Sequence, residues 1–384
     1  YGFKRSDVLV IQSNLQVTVE IQEGEIITQI WHIESSEPNF DELDYLNNLC
    51  RYVSQNTPYE KEMRENYLKV IIREQQKRIT RYAAGIMGGT GFAVFFGCNV
   101  RDAIVALIVS VMIVAVGDWL AKRESNLMVY NAILSFISEV IIIVALKMGV
   151  ADHPDRIMIG IVMLLISGLG TTNGIRDLLQ RDFISGFINI MNSFLGAAGI
   201  AFGIGLAIML FHEGYSDHFI LNHSVPIQLI SCTVACTGFA FWFKIRGKQV
   251  WYNSIGAFFT WAIYVVVFAL KPSNFLATMI AAVFVAFYAF IMSRVNKAPS
   301  TIFLTASVFP LIPGPNLYYV MYGCVSQDPQ LAFDETIVLM ATCLAIAFGF
   351  IIVDVASRSI MYALKREYHI GKSALNLPLI GGKK

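Results

Sequence analysis

From Ile79 to Ser357 the chain is a succession of apolar blocks, each near the ~20 residues an α-helix needs to cross the hydrocarbon core of a bilayer. Ten such blocks fall at 79–97, 101–121, 129–147, 157–175 and 187–211, then at 226–244, 250–270, 274–293, 301–322 and 335–357. The charged residues, 15% of the chain, crowd into residues 1–82 and the C-terminal tail. This pattern specifies an all-α polytopic membrane protein. With a net charge of +1 and no basic-aromatic stripe, nucleic acid is not an expected partner; the lipid bilayer is.

The N-terminal residues follow a different period. Leu15, Val17, Val19 and Ile21 alternate with Gln16, Thr18 and Glu20, as in a half-buried strand. A turn at Glu23–Gly24–Glu25 and a second strand to Ile33 follow, then a helix around Phe40–Val53. Thr57-Pro58-Tyr59-Glu60 reads as a helix start, with Thr57 as N-cap and Glu60 as its capping-box partner, and the charged helix after it runs toward the first span. Residues 1–78 are thus a small cytoplasmic α+β domain with a helical neck. The chain opens on Tyr1 without an apolar leader, so residue 1 is expected not to be the native start.

Orientation follows from the basic residues. Lys69, Arg73, Lys77, Arg78 and Arg81 place the N-terminus in the cytoplasm, and alternation brings Lys122, Arg123, Arg176, Arg181, Lys244, Arg246, Lys248, Arg294 and Lys297 to the same side. The loops 212–225 and 323–334 carry no lysine or arginine. A multi-pass protein of the cytoplasmic (inner) membrane, with both termini inside, is the expectation.

The two sets of five blocks resemble each other. Thr90-Gly-Phe-Ala93 recurs as Thr237-Gly-Phe-Ala240, and Ile200-Ala-Phe-Gly203 as Ile346-Ala-Phe-Gly349, at offsets of 147 and 146. Five is odd, so the second copy enters the membrane the other way up. The chain then divides into repeats at 79–214 and 215–365, followed by a basic tail, 366–384. Such inverted-topology repeats bind substrate near the midplane, at interrupted helices in matching positions. Phe309-Pro-Leu-Ile-Pro-Gly-Pro-Asn-Leu-Tyr-Tyr319 is one interruption, because proline removes a helical hydrogen bond and clashes with the preceding turn. Its match is the glycine-rich 167–177. Close packing and kinking by these glycines and prolines is the competing account.

Ionisable residues inside a span are costly and point to function. Glu139 lies mid-span; Asp102 and Asp177 flank the repeat motifs; these three are the candidate proton-coupling residues. Asp354 is expected to pair with Arg358, and Asp118 with Lys122. Asn189 and Asn192 share a helix face. Cys232 and Cys236, four apart, read as packing residues, and the loop cluster His212, Glu213, Asp217, His218 and His223 as solvated, so no metal or cofactor is expected. No histidine lies in a span, which argues against an intramembrane enzyme.

Gly88-Gly-Thr-Gly-Phe-Ala-Val-Phe-Phe-Gly-Cys-Asn-Val-Arg-Asp102, Thr172-Asn-Gly-Ile-Arg-Asp-Leu178 with Asp182 and Ser185-Gly186, Pro310-Leu-Ile-Pro-Gly314, and Phe40-Asp-Glu-Leu-Asp-Tyr-Leu-Asn-Asn-Leu-Cys50 resemble the threonine/serine exporter family. In many members the halves are separate proteins, and a two-subunit succinate exporter belongs to the same group; here both halves lie in one chain. The resemblance implies secondary-active, proton-coupled efflux of small polar metabolites, threonine or serine first, by alternating access. The alternatives are a dicarboxylate (succinate) exporter and, in another class, a channel or intramembrane enzyme. The substrate would be held by Gly168, Asn173, Arg176, Asp177, Pro313, Gly314, Asn316 and Tyr318. A homo-oligomer is compatible with this reading. Two features depart from the family pattern: its first N-terminal helix is absent, and Ser167-Gly168 stands where a proline precedes the glycine.

Overall fold

The computed structural model describes residues 5–11, 14–20, 26–32, 38–73, 76–166, 170, 173–174, 177–178, 181–211 and 224–375. Gly168 and Arg176, and the histidine-bearing loop from His212 to His223, lie outside the described residues.

The N-terminal strands form one antiparallel sheet in the order β1 (Arg5–Ile11), β2 (Asn14–Glu20), β3 (Ile26–His32). Val8 faces Val17, and Leu15 faces Trp31, as the alternation requires. α1 (Phe40–Asn56) starts at Asn39, whose side chain accepts from the Glu42 N–H. It ends at Thr57, which adopts φ 42° in the left-handed region. Thr57 therefore closes α1 rather than opening the next helix. α2 (Glu60–Ile71) begins after Tyr59 without a side-chain cap. Nor does the neck run unbroken into the membrane: α2 stops at Ile71 and α3 (Arg78–Phe95) starts afresh. Side chains pin the connection, with Arg73 against Asp41 at 3.3 Å and Gln76 donating to the Phe241 carbonyl at 2.9 Å.

The remaining helices are α4 (Val100–Leu120), α5 (Leu127–Lys147), α6 (Pro154–Leu165), α7 (Phe183–Phe211), α8 (Val225–Trp242), α9 (Lys248–Leu270), α10 (Asn274–Asn296), α11 (Ser300–Ser307), α12 (Gly314–Val325) and α13 (Pro329–Leu375). Among the described residues, seven helices are long and apolar enough to cross a membrane: α4, α5, α7, α8, α9, α10 and the Pro329–Ile360 part of α13. Three of the ten expected spans differ. α3 carries Arg78, Arg81 and four glycines, which lower its hydropathy. α6 stops at Leu165 and α11 at Ser307, too short to cross. All three are held inside the bundle by protein contacts; Ile157 through Met163 have almost no solvent exposure.

The motif copies make matching contacts. A Cβ on Gly91 of α3 would lie 2.9 Å from the Ala235 backbone of α8, and one on Gly238 of α8 would lie 2.6 Å from the Gly88 backbone of α3. Partner numbers fall as positions rise, so α3 and α8 run antiparallel. Elsewhere, Gly203 of α7 abuts Ala132, Ser135 and Phe136 of α5, while Gly349 of α13 abuts Met279, Ala282 and Val283 of α10. Each of those α10 residues is its α5 counterpart plus 147. Glycine admits such close approach because nothing projects from its backbone.

Candidate functional site

Helix α11 ends because the following sequence cannot continue it. Pro310 and Pro313 lack the N–H groups that would bond back to Ala306 and Phe309. The chain makes one 3₁₀ turn, Phe309–Leu311, in which the Ile312 N–H reaches the Phe309 carbonyl at 3.1 Å. Ile312 is extended (φ −68°, ψ 125°), as a residue before proline prefers. Gly314 then opens α12, where a Cβ would meet Met163 Sδ at 2.2 Å. The last turn of α6, in one half, thus abuts the helix restart in the other.

Beside this break is a cavity of about 300 Å³. Phe95 and Phe96 line it at the end of α3, Trp261 and Tyr264 from α9, and residues of the Pro310–Asn316 stretch at the break itself. Its remaining polar wall is Asn274 and Thr278 of α10 and Glu335 and Thr342 of α13. Asn316 donates through Nδ2 to Glu335 Oε2 at 2.7 Å, and Tyr264 bonds Asn274. Trp261 Nε1 is fixed by Gln228 Oε1 at 3.0 Å. Glu335 is the one charged side chain of the described lining; no lysine or arginine is among it.

The cavity lies toward the end of the bundle away from α1. Trp261 is 13 residues along α9 from Lys248, about 20 Å at helical rise, whereas α1 packs at the Lys248 end. There the Phe40 N–H donates to the Phe243 carbonyl at 3.2 Å, Gln249 Nε2 to Asp44 Oδ2 at 2.8 Å, and Asn47 Nδ2 to the Lys297 carbonyl at 2.9 Å. Asp41 takes both Arg73 (3.3 Å) and Arg246 (3.5 Å). Burial raises the Asp44 carboxyl above its ordinary range, opposed by the Gln249 hydrogen bond. Between α1 and the cavity stands a column of phenyl rings. Phe40 contacts Phe243 (5.9 Å between centroids), Phe243 contacts Phe309 (5.7 Å), and Phe309 stacks on Phe239 at 4.0 Å. Phe92 joins Phe239 (5.6 Å) to the cavity-lining Phe95 and Phe96 (5.9 Å each).

The structure brings together some expected residues and separates others. Pro313 and Asn316 line the cavity, and Gly314 packs directly behind it. Tyr318 is instead buried in the core, its ring edge-on to Tyr319, which does line the cavity. Asp177 accepts from Asn189 Nδ2 at 3.1 Å, and the segment holding Asn173 packs on α7 through Gly174 and Gly186. Glu139 is fully buried in α5, outside the cavity wall. Asp102 is a helix cap. With Asn99 it forms a capping box on α4, and it accepts from the N–H groups of Asp152 (2.8 Å) and His153 (3.1 Å) and bonds His153 Nδ1 (2.9 Å). Asp354 pairs with Arg358 at 2.8 Å as expected, but Asp118 pairs with Arg81 of α3 at 2.9 Å, not with Lys122.

Glu335, Trp261, Tyr264, Asn274, Thr278 and Thr342 were not singled out by sequence. One signal was available for Glu335: it is Asn189 plus 146, the offset of the Ile-Ala-Phe-Gly motif. Both residues tie the last helix of their half to the segment before it, with amide and carboxylate exchanged: Asn189 to Asp177, Glu335 to Asn316.

A family model described as threonine/serine exporter matches residues 1–211, and a second with the same description matches residues 228–356. The threonine/serine exporter of Corynebacterium glutamicum is 22% identical over 377 residues, covering 92% of this chain and 75% of that protein. No solved structure matches.

Proposed function

This chain belongs to the threonine/serine exporter family, and from that premise we propose that it is a secondary-active exporter of threonine, serine or a similar small polar metabolite. The carrying observation is the cavity at the broken helix, where side chains of both halves meet around a small polar space. An amino acid brings an ammonium and a carboxylate. Glu335 and the faces of Trp261 and Tyr264 suit the ammonium. The start of α12, with the Asn316 amide, suits the carboxylate. Asn274, Thr278 and Thr342 offer hydrogen bonds to a side-chain hydroxyl. A dicarboxylate would need cationic partners, and the described lining has none.

Alternating access is part of the reading. The antiparallel run of α3 and α8, with glycine contacts that recur at matching positions, supports two repeats of opposite topology and ten membrane-inserted segments, three of them short or interrupted. The basic loops on the α1 side support a cytoplasmic placement for both termini in an inner membrane. Proton coupling requires a carboxylate exposed to each side in turn. Of the three acids put forward from sequence, Asp102 is occupied as a cap, and neither Glu139 nor Asp177 lines the cavity.

The test is uptake of labelled threonine and labelled succinate by inverted membrane vesicles, with an imposed proton gradient. Threonine is expected to accumulate above protein-free vesicles and succinate not to. Accumulation of succinate alone would transfer the cavity to dicarboxylates; movement of neither by folded protein would remove the exporter reading.

A further inference from the structure

We propose that Glu335 is the exchange carboxylate of the transport cycle, binding a proton and the substrate ammonium in alternation. The inference rests on the exporter reading above and adds to it the atom at which the two gradients are coupled.

The geometry places Glu335 where α13 meets α12, beside the helix break. It stands in the second turn of α13, half-buried in the cavity wall, and takes its hydrogen bond from Asn316 in the first turn of α12, just past the helix break. Among the described residues its cavity lining holds no lysine or arginine, and Arg156 of α6, the helix packed on α12, is engaged by the Gly97 carbonyl at 2.9 Å. α9 carries no charged residue beyond Lys248 at its far end, α10 none before Arg294 in its last turn, and α7 and α12 none at all. The titratable groups on these elements near the cavity are Tyr264 of α9 and Tyr318, Tyr319 and Tyr322 of α12. Asp334 adjoins Glu335 on α13, and Asp328 precedes that helix. Lys271 stands exposed in the turn between α9 and α10. None of the tyrosines supplies a positive charge, and Asp334 and Asp328 add negative charge. In this setting the described partner of the carboxylate is the Asn316 amide, and its open side faces the cavity, from which a substrate ammonium would reach it.

The balance of the step is simple. Zwitterionic threonine enters, its ammonium pairs with the Glu335 carboxylate, and the proton held there leaves to solvent. After substrate release the carboxylate takes a proton from the outer solution and returns neutral. One proton moves inward for each amino acid moved outward, and no covalent bond to carbon changes. Asn316 follows the carboxylate through both states, because its amide can donate to the anion or accept from the acid.

The experiment measures proton release on threonine binding to the full chain in weakly buffered detergent, alongside affinity as a function of pH. The wild type is expected to release one proton per threonine at pH values where Glu335 is protonated in the empty protein. Over that range its affinity should fall tenfold for each unit of acidification. Glu335→Gln, which keeps the shape and the bond to Asn316, should bind threonine at least tenfold more weakly, release no proton and lose the pH dependence. Glu335→Asp should retain proton release. Threonine binding to wild type without proton release at any pH would overturn the proposal and leave the exporter reading intact. Persistence of release in Glu335→Gln, or its loss in Glu139→Gln or Asp177→Asn with Glu335 present, would also overturn it. No threonine binding by folded wild type would remove both.

Discussion

Asp102 shows how far the identity of a buried acid falls short of its role. The sequence offers an aspartate at the mouth of a span, beside a motif copy, a natural candidate for carrying a proton. In the structure its side chain has no solvent exposure, and its oxygens are engaged by the backbone of Asn99, Asp152 and His153 and by the His153 ring. Those donors join the α3–α4 turn to the start of α6. Asp102→Asn is therefore expected to lower stability by about 1.5–3 kcal/mol, the scale of a hydrogen bond to a charged group, without altering proton release per threonine. Thermal unfolding in detergent and the proton-release measurement together check this; unchanged stability with abolished release would reverse the assignment. Glu335 is the opposite case. It stands next to Asp334 at the first position of an apolar block and was not singled out by sequence; the fold brings it to Asn316. Tyr318 and Tyr319 make the same point on one turn of α12. Both are tyrosines at a broken helix, but one packs in the core and its neighbour faces the cavity.

At the scale of elements, the break between α11 and α12 was legible because proline acts locally. A missing N–H and a ring clash stop a helix whatever surrounds it. The start of α2 was not, because a threonine followed by proline and glutamate can close one helix as readily as open the next. Thr57 took the left-handed conformation at the end of α1. The repeat was visible as two four-residue motifs, and their purpose emerges from the packing: Gly203 and Gly349 let the last helix of each half lie directly on the third. A Cβ at Gly203 would sit 2.2 Å from the Ala132 carbonyl oxygen, and one at Gly349 2.6 Å from the Ala282 Cβ. Gly203→Val and Gly349→Val should each cost about 1–3 kcal/mol by overpacking, lowering the melting midpoint of the detergent-solubilised protein to a similar degree. A pair of variants differing widely would indicate that the halves are not packed alike.

For the molecule as a whole, the phenyl column from Phe40 to Phe92 separates the cavity from the α1 side. Each ring contact of this kind contributes about 0.5–1.5 kcal/mol, little enough to yield in the alternating-access cycle proposed above. A cysteine placed by Thr278→Cys, with exposed Cys50 and Cys324 replaced by serine, should react with a membrane-impermeant maleimide from the side opposite α1. It should be protected from the α1 side until Phe243→Ala or Phe309→Ala is added. Rapid labelling from the α1 side with the column intact would show that the rings do not close the path.

The sequence by itself determined the membrane class, the small strand-bearing domain, the duplicated motifs and the point where the ninth block breaks. Each is set by short-range physics: hydropathy over the length of one helix, a two-residue period, or the chemistry of proline. What only the tertiary structure decided is which polar groups share a space. Glu335 approaches Asn316 across 19 residues, and the cavity gathers side chains from Phe95 to Thr342. The first distance closes as α12 packs against α13, the second as α3, α9, α10 and α13 gather around the helix break, and no local rule of sequence carries that geometry.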